Sequence, residues 1–157
     1  MVMNDSFSAM KLAHAIENAI GSLKKCYHCG GLSEDELCEI CCDEERNDAI
    51  ICIVESAKDI LTIEDNGIYN GKYFVLEALD TLDLEHLKEL IQLGVEEVIF
   101  ALTPSIGNDT IILFIEDKLK SYQVKFSRIA QGVPTGVSLE NVDMLSLSRA
   151  MEDRVNI

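Results

Sequence analysis

Apolar side chains along this chain follow two rhythms. Over residues 9–23, Met10, Ala13, Ile16, Ile20 and Leu23 recur every three or four positions. That is the spacing of one helix face, and Ser6 or Ser8 is placed to cap its start. From residue 50 the rhythm changes. Short continuous apolar runs at 50–54, 73–76, 97–101 and 123–127 alternate with helical patterns at 57–65, 84–93 and 110–120. A continuous apolar run marks a strand buried on both faces. Asn66-Gly67 ends the first of these helices, Leu84, Leu87, Leu90 and Ile91 face inward on the second, and Asn108 or Asp109 caps the third. The order βαβαβαβ requires right-handed crossovers and a mostly parallel sheet with helices on its faces. Beyond it, residues 128–136 read as irregular, with two glycines and a proline, and a short helix follows over 145–153.

Residues 26–48 fit neither rhythm. Five of the chain's six cysteines fall between positions 26 and 42, and eight acidic residues crowd 34–48. Cys26-Tyr27-His28-Cys29 and Cys38-Glu39-Ile40-Cys41 form two Cys-x-x-Cys knuckles with eight residues between them. Two such knuckles supply four thiolates to one ion, the donor set of a closed, structural zinc site. A redox pair is the competing reading, but that motif usually opens a helix after a strand, and here it precedes every strand. His28 and Cys42 are competing ligands that break the matched spacing. Cys52, inside the first strand, reads as an inert core residue.

Charge narrows the function classes. With 13 basic and 28 acidic residues the net charge is -15, which repels bare phosphate backbones. A purely electrostatic nucleic-acid binder is disfavoured. At 48% hydrophobic the 157-residue chain has the composition of a folded protein. No apolar run approaches the length of a membrane span, and the first residues lack a basic-then-apolar leader, so the expected location is the cytoplasm.

Ligands of parallel sheets gather at the carboxyl ends of the strands. Glu55 directly follows the first strand, and Thr103-Pro104-Ser105-Ile106-Gly107-Asn108-Asp109 follows the third. Glu55 with Asp109 is the one carboxylate pair that suggests a magnesium site for phosphoryl chemistry. The bland alternative for Asp109 is a helix cap. No nucleophile elbow and no Gly-rich phosphate loop is present.

The order of parts carries a resemblance. The four-cysteine loop, the strand Cys52-Ile53-Val54-Glu55-Ser56, the strand Tyr73-Phe74-Val75-Leu76, and the segments Arg128-Ile129-Ala130-Gln131-Gly132-Val133-Pro134-Thr135-Gly136 and Leu139-Glu140-Asn141-Val142-Asp143 together resemble the bacterial RecR family of recombination mediators. The likeness runs from about residue 10 onward. It implies an α/β Toprim-like parallel sheet flanked by helices, preceded by a small four-cysteine zinc finger and followed by a C-terminal helical and irregular segment. The implied division is an N-terminal helix over 1–25, the finger over 26–48, the Toprim domain over 49–127 and an oligomerisation segment over 128–157. Residues 1–25 would follow a helix–hairpin–helix domain that family members carry.

The resemblance also implies a function. The chain would be a non-catalytic scaffold that acts with RecO, and in some lineages RecF, to load RecA onto single-stranded DNA. It implies a homodimer for this chain and a tetrameric ring for the longer protein, with weak DNA binding by this chain alone. It assigns zinc to Cys26, Cys29, Cys38 and Cys41, and partner contacts to Glu55, Arg128, Gly132, Glu140 and Asp143. Two loops differ from the family's pattern. Glu77-Ala78-Leu79-Asp80-Thr81-Leu82-Asp83 is short, and Thr103-Pro104-Ser105-Ile106-Gly107-Asn108 lacks the family's loop glutamate. The rival reading is a metal-dependent Toprim enzyme acting on phosphodiesters. Such enzymes usually carry an Asp-x-Asp pair after the third strand, and residues 103–109 have none. A zinc-ribbon factor that binds nucleic acid would need a basic, aromatic-studded loop, and this one is acidic with Tyr27 alone.

Overall fold

The chain begins with helix α1 (Ser6–Ser22), a two-strand hairpin β1 (Lys24–Lys25) and β2 (Leu32–Ser33), and a one-turn helix α2 (Glu39–Cys42). Then follow β3 (Asn47–Val54), α3 (Ala57–Asn66), β4 (Gly71–Val75), α4 (Leu84–Gln92), β5 (Glu97–Ala101), α5 (Ile106–Leu119) and β6 (Lys125–Arg128). A 3-10 turn (Leu139–Asn141) and α6 (Met144–Glu152) close it. These elements come from a computed structural model that describes residues 6–76 and 82–157. Most of the short loop expected at 77–83 therefore lies outside the described residues.

The sheet order is β4-β3-β5-β6, and all three pairings are parallel, as the alternation of elements requires. From β3 the chain steps one way to β4, crosses back to β5 on the far side of β3, and continues outward to β6. The side on which successive strands are added switches at β3, so the crevice at the carboxyl ends of β3 and β5 is the topological switch point.

The pleat sorts side chains into two cores. Ile51, Ile53, Phe74, Val98 and Phe100 point to one face, where Leu87 and Ile91 of α4 and Ile115 and Leu119 of α5 cover them. Cys52, Val54 and Tyr73 point to the other, under Ile60 of α3 and three cysteines of the finger. The first core is the larger, and Leu84 and Leu90 pack half-buried against it. Cys52 is buried, as expected, and burial pushes its thiol up to about 12.

Several boundaries differ from those read off the pattern. Ser6 and Ser8 lie inside α1 rather than ahead of it. β3 starts three residues early because Asn47 pairs with Gly71 ahead of a register irregularity. Asn108 and Asp109 do not cap α5. Ser105 does, its hydroxyl accepting from the Asn108 N–H at 3.1 Å, so the helix begins at Ile106. The apolar run at 123–127 yields a strand only over Lys125–Arg128. The cysteine loop is not featureless either, since it contains the hairpin and α2, and Leu37 and Ile40 pack against its cysteines.

Candidate functional site

The two knuckles fold so that the Sγ atoms of Cys26, Cys29, Cys38 and Cys41 all lie within 4.8 Å of one another. Cys29 and Cys38 are 3.6 Å apart. A tetrahedron with arms of about 2.3 Å has edges of roughly 3.8 Å, so this spacing matches four sulfurs around one zinc-sized ion. Backbone amides support the sulfurs: Gly31 N–H donates to Cys29 Sγ and Cys38 N–H to Cys26 Sγ, both at 3.3 Å. Such donors favour thiolate over thiol. The Cys29 thiol is drawn down to about 5, first by hydrogen bonding from Cys41, whose own pKa is raised in return. Burial lifts Cys38 to about 11. A bound cation would stabilise all four thiolates at once. Cys26, Cys29 and Cys38 are buried and Cys41 is half-buried, so the cluster is largely shielded from solvent. Cys42 is exposed and, with His28, stands outside the four.

The finger is fixed at three points, two on β4 and one on α4. Val75 N–H, on the edge strand β4, donates to the Cys29 carbonyl at 2.7 Å. Gly30 makes that approach possible, with a φ of 75° and room for no more than a snug Cβ beside Val75. Lys72 Nζ donates to the carbonyls of Ile40, Cys41 and Asp43 at 2.9, 3.2 and 2.8 Å, satisfying the open end of α2. His86 of α4 donates through Nε2 to the His28 carbonyl at 2.9 Å, and its ring packs near Tyr27 and His28.

At the switch point, Glu55 is held by hydrogen-bond donors. Its Oε2 accepts from the Thr103 hydroxyl at 2.6 Å and the Thr103 N–H at 3.2 Å. Its Oε1 accepts from Asn108 Nδ2 at 2.7 Å, and the same amide donates to the Thr103 carbonyl at 2.7 Å. The Thr103 hydroxyl foremost holds the Glu55 carboxyl below its ordinary value. Asp109 does not join it. Its carboxylate faces Arg128 at 3.4 Å and Arg149 of α6 at 3.6 Å. A magnesium ion needs converging acceptor oxygens. Here one carboxylate is met by donors and the other by guanidinium groups, so these residues do not fit the ion.

The remaining candidates occupy the C-terminal segment. Arg128 ends β6 and links to α5 through Asp109. Gly132 approaches Ala150, where an added Cβ would sit 3.7 Å from the alanine's own. Glu140 is exposed on the 3-10 turn. Asp143 caps α6, accepting from Ser146 N–H at 2.9 Å and Ser146 Oγ at 2.7 Å. Arg128 is thus grouped with Asp109 and Arg149, whereas Glu55 belongs to the Thr103–Asn108 cluster.

Sequence reasoning missed Thr103 and Asn108 as the partners of Glu55, and it missed two anchors beside the finger. Lys72 is one; it stands just ahead of the apolar run at 73–76, where no local pattern marks it. Arg46 is the other, a single cation in an acidic run. It binds Glu64 through paired guanidinium contacts and donates to the Gly71 carbonyl at 3.0 Å, while Tyr73 Oη donates to Glu64 at 2.6 Å. Burial raises the Glu64 pKa, but Arg46 and Tyr73 more than offset it and leave the carboxyl low.

No helix among the described residues is long and apolar enough to cross a membrane. The Toprim domain family matches residues 49–130, and the family described as "RecR, C-terminal" matches residues 132–155. Across the whole chain, a "Recombination protein RecR" from a Nitratiruptor species is 56% identical, with 83% of that relative covered. The protein of that name from Campylobacter jejuni subsp. jejuni is 58% identical with the same coverage. Its counterpart in Helicobacter pylori is 44% identical over 98% of the chain and 80% of the relative.

Proposed function

The chain belongs to the RecR family of recombination proteins, and from that membership we propose that it is a non-catalytic scaffold in recombinational DNA repair. In this reading it acts in the cytoplasm with RecO, and with RecF where the lineage uses it, to load RecA onto single-stranded DNA. The finger over 26–48 carries zinc on Cys26, Cys29, Cys38 and Cys41. The Toprim sheet over 49–127 offers partner contacts around Glu55. The segment over 128–157, with Arg128, Gly132, Glu140 and Asp143, joins two copies and contributes to partner contact.

The observation that carries the non-catalytic reading is the occupation of both switch-point carboxylates. Glu55 accepts from Thr103 and Asn108, and Asp109 faces Arg128 and Arg149. Metal-assisted phosphoryl transfer needs acidic oxygens turned toward a shared ion. A carboxylate ringed by neutral donors serves instead to lock the two loops of the crevice, giving a rigid contact surface. The net charge of -15 supports weak intrinsic affinity for DNA, with delivery through a partner.

The test is incubation with single- and double-stranded DNA in magnesium or manganese, beside titration of labelled single-stranded DNA and of purified RecO. No cleavage, weak DNA binding at about 0.15 M salt and saturable RecO binding are expected. Cleavage that disappears in Glu55→Gln would instead establish the Toprim enzyme.

A further inference from the structure

A groove of about 310 Å³ separates the finger from α3. Its lining is largely apolar: Leu37 and Ile40 from the finger, Ala57 and Leu61 from α3, and Leu23, with Cys29 and Cys38 of the four-cysteine cluster at its edge with the finger. Leu61 is 58% exposed and Leu23 41% exposed. Isolated exposed leucines are ordinary, but a concave row of them from separate elements is a docking feature.

The rim carries the opposite character. Glu34, Asp35 and Glu39 line it, and all three are exposed. None of the lining side chains is basic; the nearest lysines in the hairpin, Lys24 and Lys25 of β1, lie opposite the lining residues Ser33 and Leu32. Elsewhere on the surface, acids such as Asp109, Glu64, Glu85 and Asp117 sit beside cations of their own neighbourhood. Among its lining residues the groove has three acids and no cation beside an apolar floor.

We propose that this groove is a docking site for an amphipathic segment of a protein partner, with an apolar stripe flanked by lysines or arginines. The stripe would cover the leucine floor, and the flanking cations would meet Glu34, Asp35 and Glu39. Apolar burial supplies affinity, while the complementary charge sets orientation and rate. The same rim repels phosphate, which excludes nucleic acid and an anionic lipid surface as occupants. The surface involves neither Glu55 nor the C-terminal segment. It is an additional contact, independent of the scaffold reading above.

The probe is a fluorescein-labelled helical peptide of about 16 residues with leucines three and four apart along one face and lysines beside them. Two controls are a scramble of the same composition and a version with glutamates for lysines. The full chain should bind the striped peptide saturably, and the scramble about tenfold more weakly or worse. Leu61→Ser, a change at an exposed position, should cost about tenfold. Glu34→Lys with Asp35→Lys should weaken the lysine peptide and admit the glutamate peptide. The same charge change made away from the groove, Glu44→Lys with Asp65→Lys, should leave both affinities within about twofold, the effect of net charge alone in moderate salt. Equal binding of stripe and scramble would overturn the proposal, reducing the effect to bulk charge. So would unchanged binding by Leu61→Ser. Self-association of the wild type that Leu61→Ser abolishes in sedimentation would overturn it too, by making a second copy the occupant.

Discussion

Three donors around one carboxylate make Glu55 a structural tie across the mouth of the sheet. It reaches from the end of β3 to the loop after β5, where Thr103 and Asn108 hold both of its oxygens. Hydrogen bonds to a charged group contribute more than neutral ones, and this one is half exposed to competing water, so Glu55→Ala should cost about 1–2 kcal/mol in urea unfolding. The pH dependence follows from the depressed pKa. The tie is fully present above the unfolded-state carboxylate value and is lost as pH falls through the lower folded-state value. The difference between wild type and Glu55→Ala should therefore be constant near neutrality and shrink in acid. A difference that grew in acid would contradict this geometry. Glu55 was legible in the sequence because it directly follows an apolar run. Its partners were not: Thr103 and Asn108 are common loop residues, and only the β3–β5 register, Val54 beside Ala101, brings them within reach. Asp109 illustrates the same limit, since its cap position looked free until Ser105 took it and Arg149 arrived from forty residues away.

Among the elements, the finger was the most legible and its seating the least. Knuckle spacing is a local property, so the four clustered cysteines could be named from residues 26–41 alone. Docking depends on contacts such as Lys72 with Ile40, thirty-two positions apart, which no local pattern announces. Cys38→Ser should lose the metal, one ion per chain by elemental analysis, and expose the amides of residues 26–42 to fast hydrogen exchange. Structural zinc supplies on the order of 10 kcal/mol to such a site, whereas the sheet has its own core under α4 and α5 and should stay folded. Lys72→Met makes a finer cut. Three carbonyls at the end of α2 lose their donor; they are part-buried or exposed and water can replace it, so the loss is about 1 kcal/mol. Exchange should then quicken at residues 39–43 while the metal remains bound. Metal loss in Lys72→Met would mean that the lysine holds the knuckle itself. The strands and α3, α4 and α5 were read correctly in kind because periodicity survives burial. Their ends moved by a few residues wherever a cap or a pairing partner, not hydrophobicity, sets the boundary.

For the molecule as a whole, the C-terminal segment leaves a row of apolar side chains uncovered. Ile129, Val133, Leu139, Leu145 and Met151 are exposed, and Met144 is 88% exposed. A segment this short cannot enclose a core by itself, and α6 leaves its own apolar side largely bare. The exposure supports two copies meeting through this region. Light scattering at micromolar concentration should give a dimer, and Leu145→Asp with Met144→Asp should give a soluble monomer. A monodisperse monomer of the unmutated chain would refute the assignment.

The bond from Val75 to the Cys29 carbonyl has a consequence for solubility. β4 is the outermost strand on its side, and an outermost strand offers unpaired amides as a template to any other extended chain. The finger lies across that border and occupies the Val75 amide. Metal retention would then guard against fibre-like stacking as well as hold a loop together. Stripped of its ion, the chain should form β-rich aggregates before it unfolds globally, seen as thioflavin fluorescence rising while the α4 and α5 amides remain protected.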